Sequence, residues 1–183
     1  DSVCAIDTVA KIMEQRGRDE AVAAPMVPPR IVLAVLYVGP FVRATVLQRK
    51  ASQWEEKLEQ EYDVGIKMHI AEPPFQTDDV ECKGYWLKPD ALKYEQRVKK
   101  LKSQVSSALI CLLTEIERVR PRVIVGEGQG GTVVAMSTFP VIMERACRDR
   151  AVTQHQMHTF RQAWSGVTGI LAVSYTHLRA HET

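Results

Sequence analysis

Between Arg122 and Thr132 the chain reads Arg122-Val123-Ile124-Val125-Gly126-Glu127-Gly128-Gln129-Gly130-Gly131-Thr132. No other stretch so narrows what this chain can fold into. Three β-branched residues predict a short strand, and the apolar run beyond Thr132 predicts a helix packed on the core. A turn of the form G-x-Nuc-x-G joins such elements so sharply that the apex side chain is lifted clear of the sheet. Here the apex is Gly128, which has no side chain to present. Gly126 and Gly130 are expected to be small because strand and departing helix pass close together, and the apex is expected in a strained backbone conformation. The backbone N–H of Gln129, at the start of the helix, is placed to stabilise negative charge in the turn.

The rest of the chain alternates strand and helix signals. Residues 1–18 carry a modest helical pattern through Val3, Ile6, Val9 and Ile12 or Met13, and Ala21 to Pro29 is an Ala/Pro-rich extended linker. Residues 1–29 therefore precede the main domain, which starts at Arg30. Ile31 to Val38 is a continuous apolar run closed by Gly39-Pro40, the pattern of a central strand in a parallel sheet. A helix is expected over Arg43 to Glu61, with Val46, Leu47, Trp54 and Leu58 on one face. Gly65 to Ile70 reads as a second strand, and Phe75 to Pro89 as a loop. Tyr94, Val98, Leu101, Val105, Leu109, Leu112, Ile116 and Val119 recur every three or four positions and predict one long helix from Ala91 to Val119, capped by Asp90 and stopped by Pro121. After the glycine turn come a helix from Thr132 to about Arg148, a short helix around His155–Trp164 and a strand at Gly169–Val173. The alternation implies an α/β fold, a parallel doubly wound sheet with right-handed crossovers.

Composition removes several function classes. The sequence is 45% hydrophobic and 25% charged with a net charge of +2, ordinary for a globular domain, and its basic residues are interleaved with acidic ones. That gives no electrostatic case for contact with nucleic acid. The apolar run Ile31 to Val38 is too short to span a bilayer. Cys4, Cys82, Cys111 and Cys147 include no C-x-x-C pair and no His at ligand spacing, so reduced thiols in an intracellular protein are expected, with no metal and no cofactor.

At the level of motifs in order, the chain resembles the α/β-hydrolase superfamily, most like small serine hydrolases of the FSH and phospholipase/carboxylesterase type. The residues that carry the resemblance are Leu36-Tyr37-Val38-Gly39, Ala71-Glu72-Pro73-Pro74, the long helix, and Gly126-Glu127-Gly128-Gln129-Gly130-Gly131, spanning Arg30 to Val173. The family's nucleophilic Ser falls on Gly128, and the His of its oxyanion strand falls on Val38. What the resemblance leaves in place are oxyanion contributors, the amides at Gln129 and near Phe41. The acid and the His of a triad would lie beyond Gly169–Val173. The resemblance thus implies a degenerate hydrolase-like domain without turnover, offering a scaffold and a place near Gly128 for a small ligand or a partner segment.

Other readings compete with it. Gly126-x-Gly128-x-x-Gly131 also satisfies the dinucleotide-binding pattern, although no acidic residue closes the following strand. A non-enzymatic module of a larger polyprotein, such as one encoded by a mobile element, is a second alternative, and an ester hydrolase with a different nucleophile a third. Among isolated candidates, Cys111 and Cys147 fall inside helices, and Ser137 and Thr138 lie away from the apex. His155 and His158 share a helix face without a carboxylate partner. His69 is expected as a hydrogen-bonded core residue, Glu127 as a solvated charge, and Tyr85-Trp86 as an anchor of the loop on the core. Residues 173–183, Val-Ser-Tyr-Thr-His-Leu-Arg-Ala-His-Glu-Thr, resemble read-through of a sequencing adapter and are expected to be non-native. On that reading residues 30–172 are a partial domain cut off near Ala172.

Overall fold

The computed structural model describes residues 32–40, 43–62, 65–76, 82–87 and 93–173. The apolar run forms β1 (Val32–Val38), and its successor forms α1 (Ala44–Tyr62). Then come β2 (Gly65–Ile70), the two short strands β3 (Phe75–Gln76) and β4 (Lys83–Gly84), and the long helix α2 (Tyr94–Val119). The glycine turn lies between β5 (Val123–Glu127) and α3 (Gln129–Ser137), followed by α4 (Pro140–Asp149), α5 (Gln154–Ser165) and β6 (Gly169–Val173).

Among the described residues, β2, β1, β5 and β6 form a parallel sheet in that order. The fold is α/β, as the alternation predicts. From β1 the chain moves to one side to reach β2. From β5 it moves to the other side to reach β6, so the connections diverge between β1 and β5. With right-handed crossovers, this places α1 on one face and the later helices on the other. The core divides accordingly. Val35, Tyr37, Val123 and Val125 pack with Leu47 and Ala51 of α1, whereas Leu36, Val38 and Ile124 pack with Leu109, Leu112 and Ile116 of α2 and with Val133 and Val134 of α3. Side chains from one strand thus serve both layers, which is why β1 and β5 are apolar without alternation.

Three expectations need correction. Val46 is 48% exposed; the buried stripe of α1 is Leu47, Ala51 and Leu58, with Trp54 partly buried between them. Ala51, one turn after Leu47, completes that stripe in place of Val46. The helix predicted from Thr132 to about Arg148 is two helices, because Pro140 has no N–H to continue the ladder and its ring would collide with the carbonyl four residues back. Pro140 instead opens α4 at its first turn, where a missing donor costs nothing. The segment expected to be a loop contains the antiparallel pair β3–β4, in register Phe75 with Gly84 and Gln76 with Lys83.

The long helix ends as its sequence requires. Arg120 turns into the left-handed region (φ 51°, ψ 51°) and donates its N–H to the Ile116 carbonyl at 2.8 Å, just before Pro121. Asp90, the expected cap, lies outside the described residues; at Lys93, which precedes the helix, no side chain caps it. α5 begins with a full capping box between Thr153 and Gln156. The predicted helix over 1–18 and the linker through Pro29 lie outside the described residues, as do residues 174–183; Val173 is the last residue of β6.

Candidate functional site at the glycine turn

The turn stands at the carboxyl ends of β5 and β1, where the connections diverge, the usual position for a site in an open parallel sheet. Gly128 adopts φ 59° and ψ −124°, a conformation that L side chains rarely enter. Two hydrogen bonds hold it there: its N–H donates to the Val173 carbonyl at 2.9 Å, and its carbonyl accepts from the Thr132 N–H at 3.1 Å. Thr132 Oγ1 donates to the same carbonyl at 3.2 Å.

The flanking glycines are set by contact. A Cβ on Gly126 would lie 2.8 Å from Gly131 Cα and 2.9 Å from Val134 Cγ2, so β5 and α3 do pass as close as expected. Gly130 owes its size to a different neighbour. Its Cβ would fall 2.1 Å from the Val38 carbonyl oxygen and 2.5 Å from that of Gly39, at the end of β1. A Cβ on Gly131 would meet the Val173 carbonyl oxygen of β6 at 2.4 Å. Three strand ends thus press on the first turn of α3. The apex itself is covered: a Cβ on Gly128 would stand 2.9 Å from Pro40 Cβ and 3.3 Å from Pro40 Cα.

The residues beside the apex are occupied in opposite directions. The Glu127 carboxylate accepts from Tyr37 Oη at 2.6 Å and pairs closely with Lys50 Nζ. Lys50 also lies over the ring of Trp54, 5.3 Å from its centroid, and Trp54 packs against Tyr37 with centroids 5.4 Å apart. Glu127 is therefore not the solvated charge expected from sequence; its side chain is 16% exposed and paired on the α1 side of the sheet. Gln129 turns the other way. Its Oε1 accepts from the Tyr85 N–H at 3.0 Å and its Nε2 donates to the Trp86 carbonyl at 3.2 Å, tying the β3–β4 hairpin to the turn. Tyr85 is buried, donates from Oη to the Ala71 carbonyl at 3.3 Å, and has its phenol pKa raised well above the ordinary value by burial. Tyr85 anchors this loop on the core, as expected.

What remains for chemistry is backbone. Gln129 opens α3, whose N-terminal amides face the turn, and the second expected amide, near Phe41, lies outside the described residues. Ser137 Oγ donates to the Val134 carbonyl at 2.6 Å and Thr138 Oγ1 to the Ala135 carbonyl at 2.7 Å, local helix contacts at the far end of α3. The Cys111 thiol points at the Glu72 carbonyl, 3.2 Å away, and burial with Glu115 and Glu72 nearby pushes its pKa up to about 11. A thiol so raised is a poor nucleophile. Burial also pushes the Cys147 thiol up. His69 is only partly buried on β2, contrary to the core position expected for it; desolvation and the Arg118 and Lys67 charges lower its pKa. His155 and His158 are exposed on α5. No group of three or more His, Cys, Asp or Glu able to hold a metal occurs among the described residues, and no described helix is long and apolar enough to cross a membrane.

Sequence reasoning missed Pro40, Tyr37 and Lys50. Pro40 follows a strand-closing glycine and carries no signal that it lies over another loop. Lys50 stands one helical turn before Trp54, a spacing that places both on one face of α1 but does not name Glu127 as their neighbour. No family model matches this chain, and neither a curated protein nor a solved structure matches it.

Proposed function

We propose that this chain is a catalytically silent domain of α/β-hydrolase type, a scaffold that keeps the elbow and lacks the group that would act from it. The observation that carries this reading is the apex. Gly128 takes up the strained turn, Pro40 covers the place where a side chain would emerge, and neither Glu127 nor Gln129 is free to substitute. The strand order β2-β1-β5-β6, with the turn after β5, supports the same reading. Covalent catalysis needs a nucleophile, a base and room between them. The turn offers oxyanion-type amides alone, and a fold by itself assigns no activity.

A dinucleotide turn needs open backbone at the second glycine for the pyrophosphate to approach. Here Pro40 occupies that approach, so the hydrolase-like reading is the better supported. The test is hydrolysis of 4-nitrophenyl acetate and butyrate by the full chain, beside labelling with a fluorophosphonate and intact mass measurement. The expected result is no turnover above buffer and no adduct. Turnover that persists through purification together with a single phosphonate adduct overturns the proposal.

A further inference from the structure

Away from the glycine turn, a cleft is lined by residues of α2, α4 and α5 and by the segment around Pro140. Its volume is about 280 Å³, just below the span of about 300 to 1,000 Å³ of sites for drug-sized ligands, so only a small guest fits. The wall is apolar and soft: Leu113, Met143, Cys147, Met157, Phe160 and Trp164. Two thioethers beside two aromatic rings suit a flat aromatic guest, since sulfur packs favourably on ring edges and methionine adapts its shape.

The mouth has one cation. Arg161 Nη2 donates to Glu144 Oε1 at 3.3 Å, and both side chains also line the cleft. A guanidinium has five N–H donors in a planar fork, and this contact uses one. Both side chains of this pair are largely exposed, 67% for Arg161 and 53% for Glu144, so the cation stands at the solvent side of the apolar wall.

We infer that this cleft between α2, α4 and α5 is a binding site for a small aromatic carboxylate, its ring against Met143, Met157, Phe160 and Trp164 and its carboxylate on the donors of Arg161 that Glu144 leaves unused. The guest's carboxylate competes with Glu144 for the same cation, so Glu144 weakens binding and Arg161 supports it.

Cys147 in the wall is nearly buried and slow to label, and a guest lying on that wall slows it further. The experiment is iodoacetamide labelling of the full chain, followed site by site by peptide mass spectrometry, with 2-naphthoate or the uncharged 2-naphthamide present. Saturating 2-naphthoate is expected to slow labelling at Cys147 at least about tenfold while Cys82, outside the cleft, labels unchanged. Arg161→Gln is expected to weaken 2-naphthoate about tenfold, the worth of a charge-assisted hydrogen bond, and to leave 2-naphthamide as it was. That unchanged amide binding shows the variant is folded. Glu144→Gln is expected to tighten 2-naphthoate. No protection of Cys147 by either compound overturns the site; equal affinity for acid and amide overturns the carboxylate assignment.

Discussion

Gly130→Ala tests the packing of the turn more sharply than any other change. The new methyl would sit 2.1 Å from the Val38 carbonyl oxygen and 2.5 Å from the Gly39 oxygen, so main chain would have to retreat by almost an ångström. β1 cannot retreat alone, because β2 and β5 hold it on both sides. Nor can α3 slide toward β6, where Gly131 already sits too close to the Val173 oxygen to accept a methyl. Relief requires prising α3 off the sheet and loosening Val133 and Val134, both fully buried. Overpacking a core costs about 1–3 kcal/mol, and contact with backbone on both sides puts Gly130→Ala at or above about 3 kcal/mol. Two further alanines calibrate the scale. Gly126→Ala meets Gly131 Cα at 2.8 Å, Val134 Cγ2 at 2.9 Å and the Gly130 carbonyl oxygen at 3.0 Å, milder overlaps that cost about 1–3 kcal/mol. Gly166→Ala stands at φ −78° with its nearest neighbour at 3.4 Å, and is expected to stabilise by about 0.4–1 kcal/mol through the unfolded chain. Urea unfolding followed by far-UV circular dichroism reads all three. With a slope of about 1–3 kcal/mol per molar urea, Gly130→Ala shifts the midpoint down by about 1 M or more. A Gly130→Ala midpoint equal to that of Gly166→Ala would refute the reasoning, since the first turn of α3 would then not press on β1.

Two further predictions concern charge. In a double-mutant cycle of Glu127→Gln and Lys50→Met, the pair should couple by about 1–2 kcal/mol in urea unfolding, because both groups are largely withdrawn from water and share Tyr37; coupling within about 0.3 kcal/mol of zero would make it an ordinary surface pair. His69, whose pKa is lowered from 6.5 in the folded chain, takes up its proton in the unfolded chain first. Its contribution is therefore complete above pH 6.5 and declines as pH falls toward the lowered folded value. Tm measured at pH 8 and pH 5.5 should drop less in His69→Gln than in the parent, and an identical drop in both removes His69 as a source.

The parallel strands and the long helix were legible because their signals are local. An unbroken run from Val32 to Val38 reads as a strand buried on both faces, and eight apolar positions at helical spacing leave no other choice over Tyr94–Val119. The glycine turn was legible in its geometry, and Gly128 does take the strained apex conformation. The break at Pro140 divides the helix expected from Thr132 to about Arg148, because the apolar pattern that carries that expectation continues across the proline. What stayed hidden depends on distance in the fold. Gly130 was ascribed to its own strand, but its neighbour is β1, more than ninety residues earlier. The Glu127–Lys50 pair joins positions separated by 77 residues, and the Gln129 link to Tyr85 spans 44. No spacing rule reaches across such intervals, so a carboxylate flanked in sequence by glycines looks solvated until its partners are in place.

Pro40 over Gly128 also makes the apex a position that two residues decide together. Glycine meets the apex conformation without strain. A side chain there must overcome φ 59° and a proline carbon 2.9 Å from the new Cβ, so it calls for a second change at Pro40. The turn is therefore locked from several sides: its flanking glycines Gly130 and Gly131 are held small by the strand ends, and no single substitution sets a side chain comfortably at its tip.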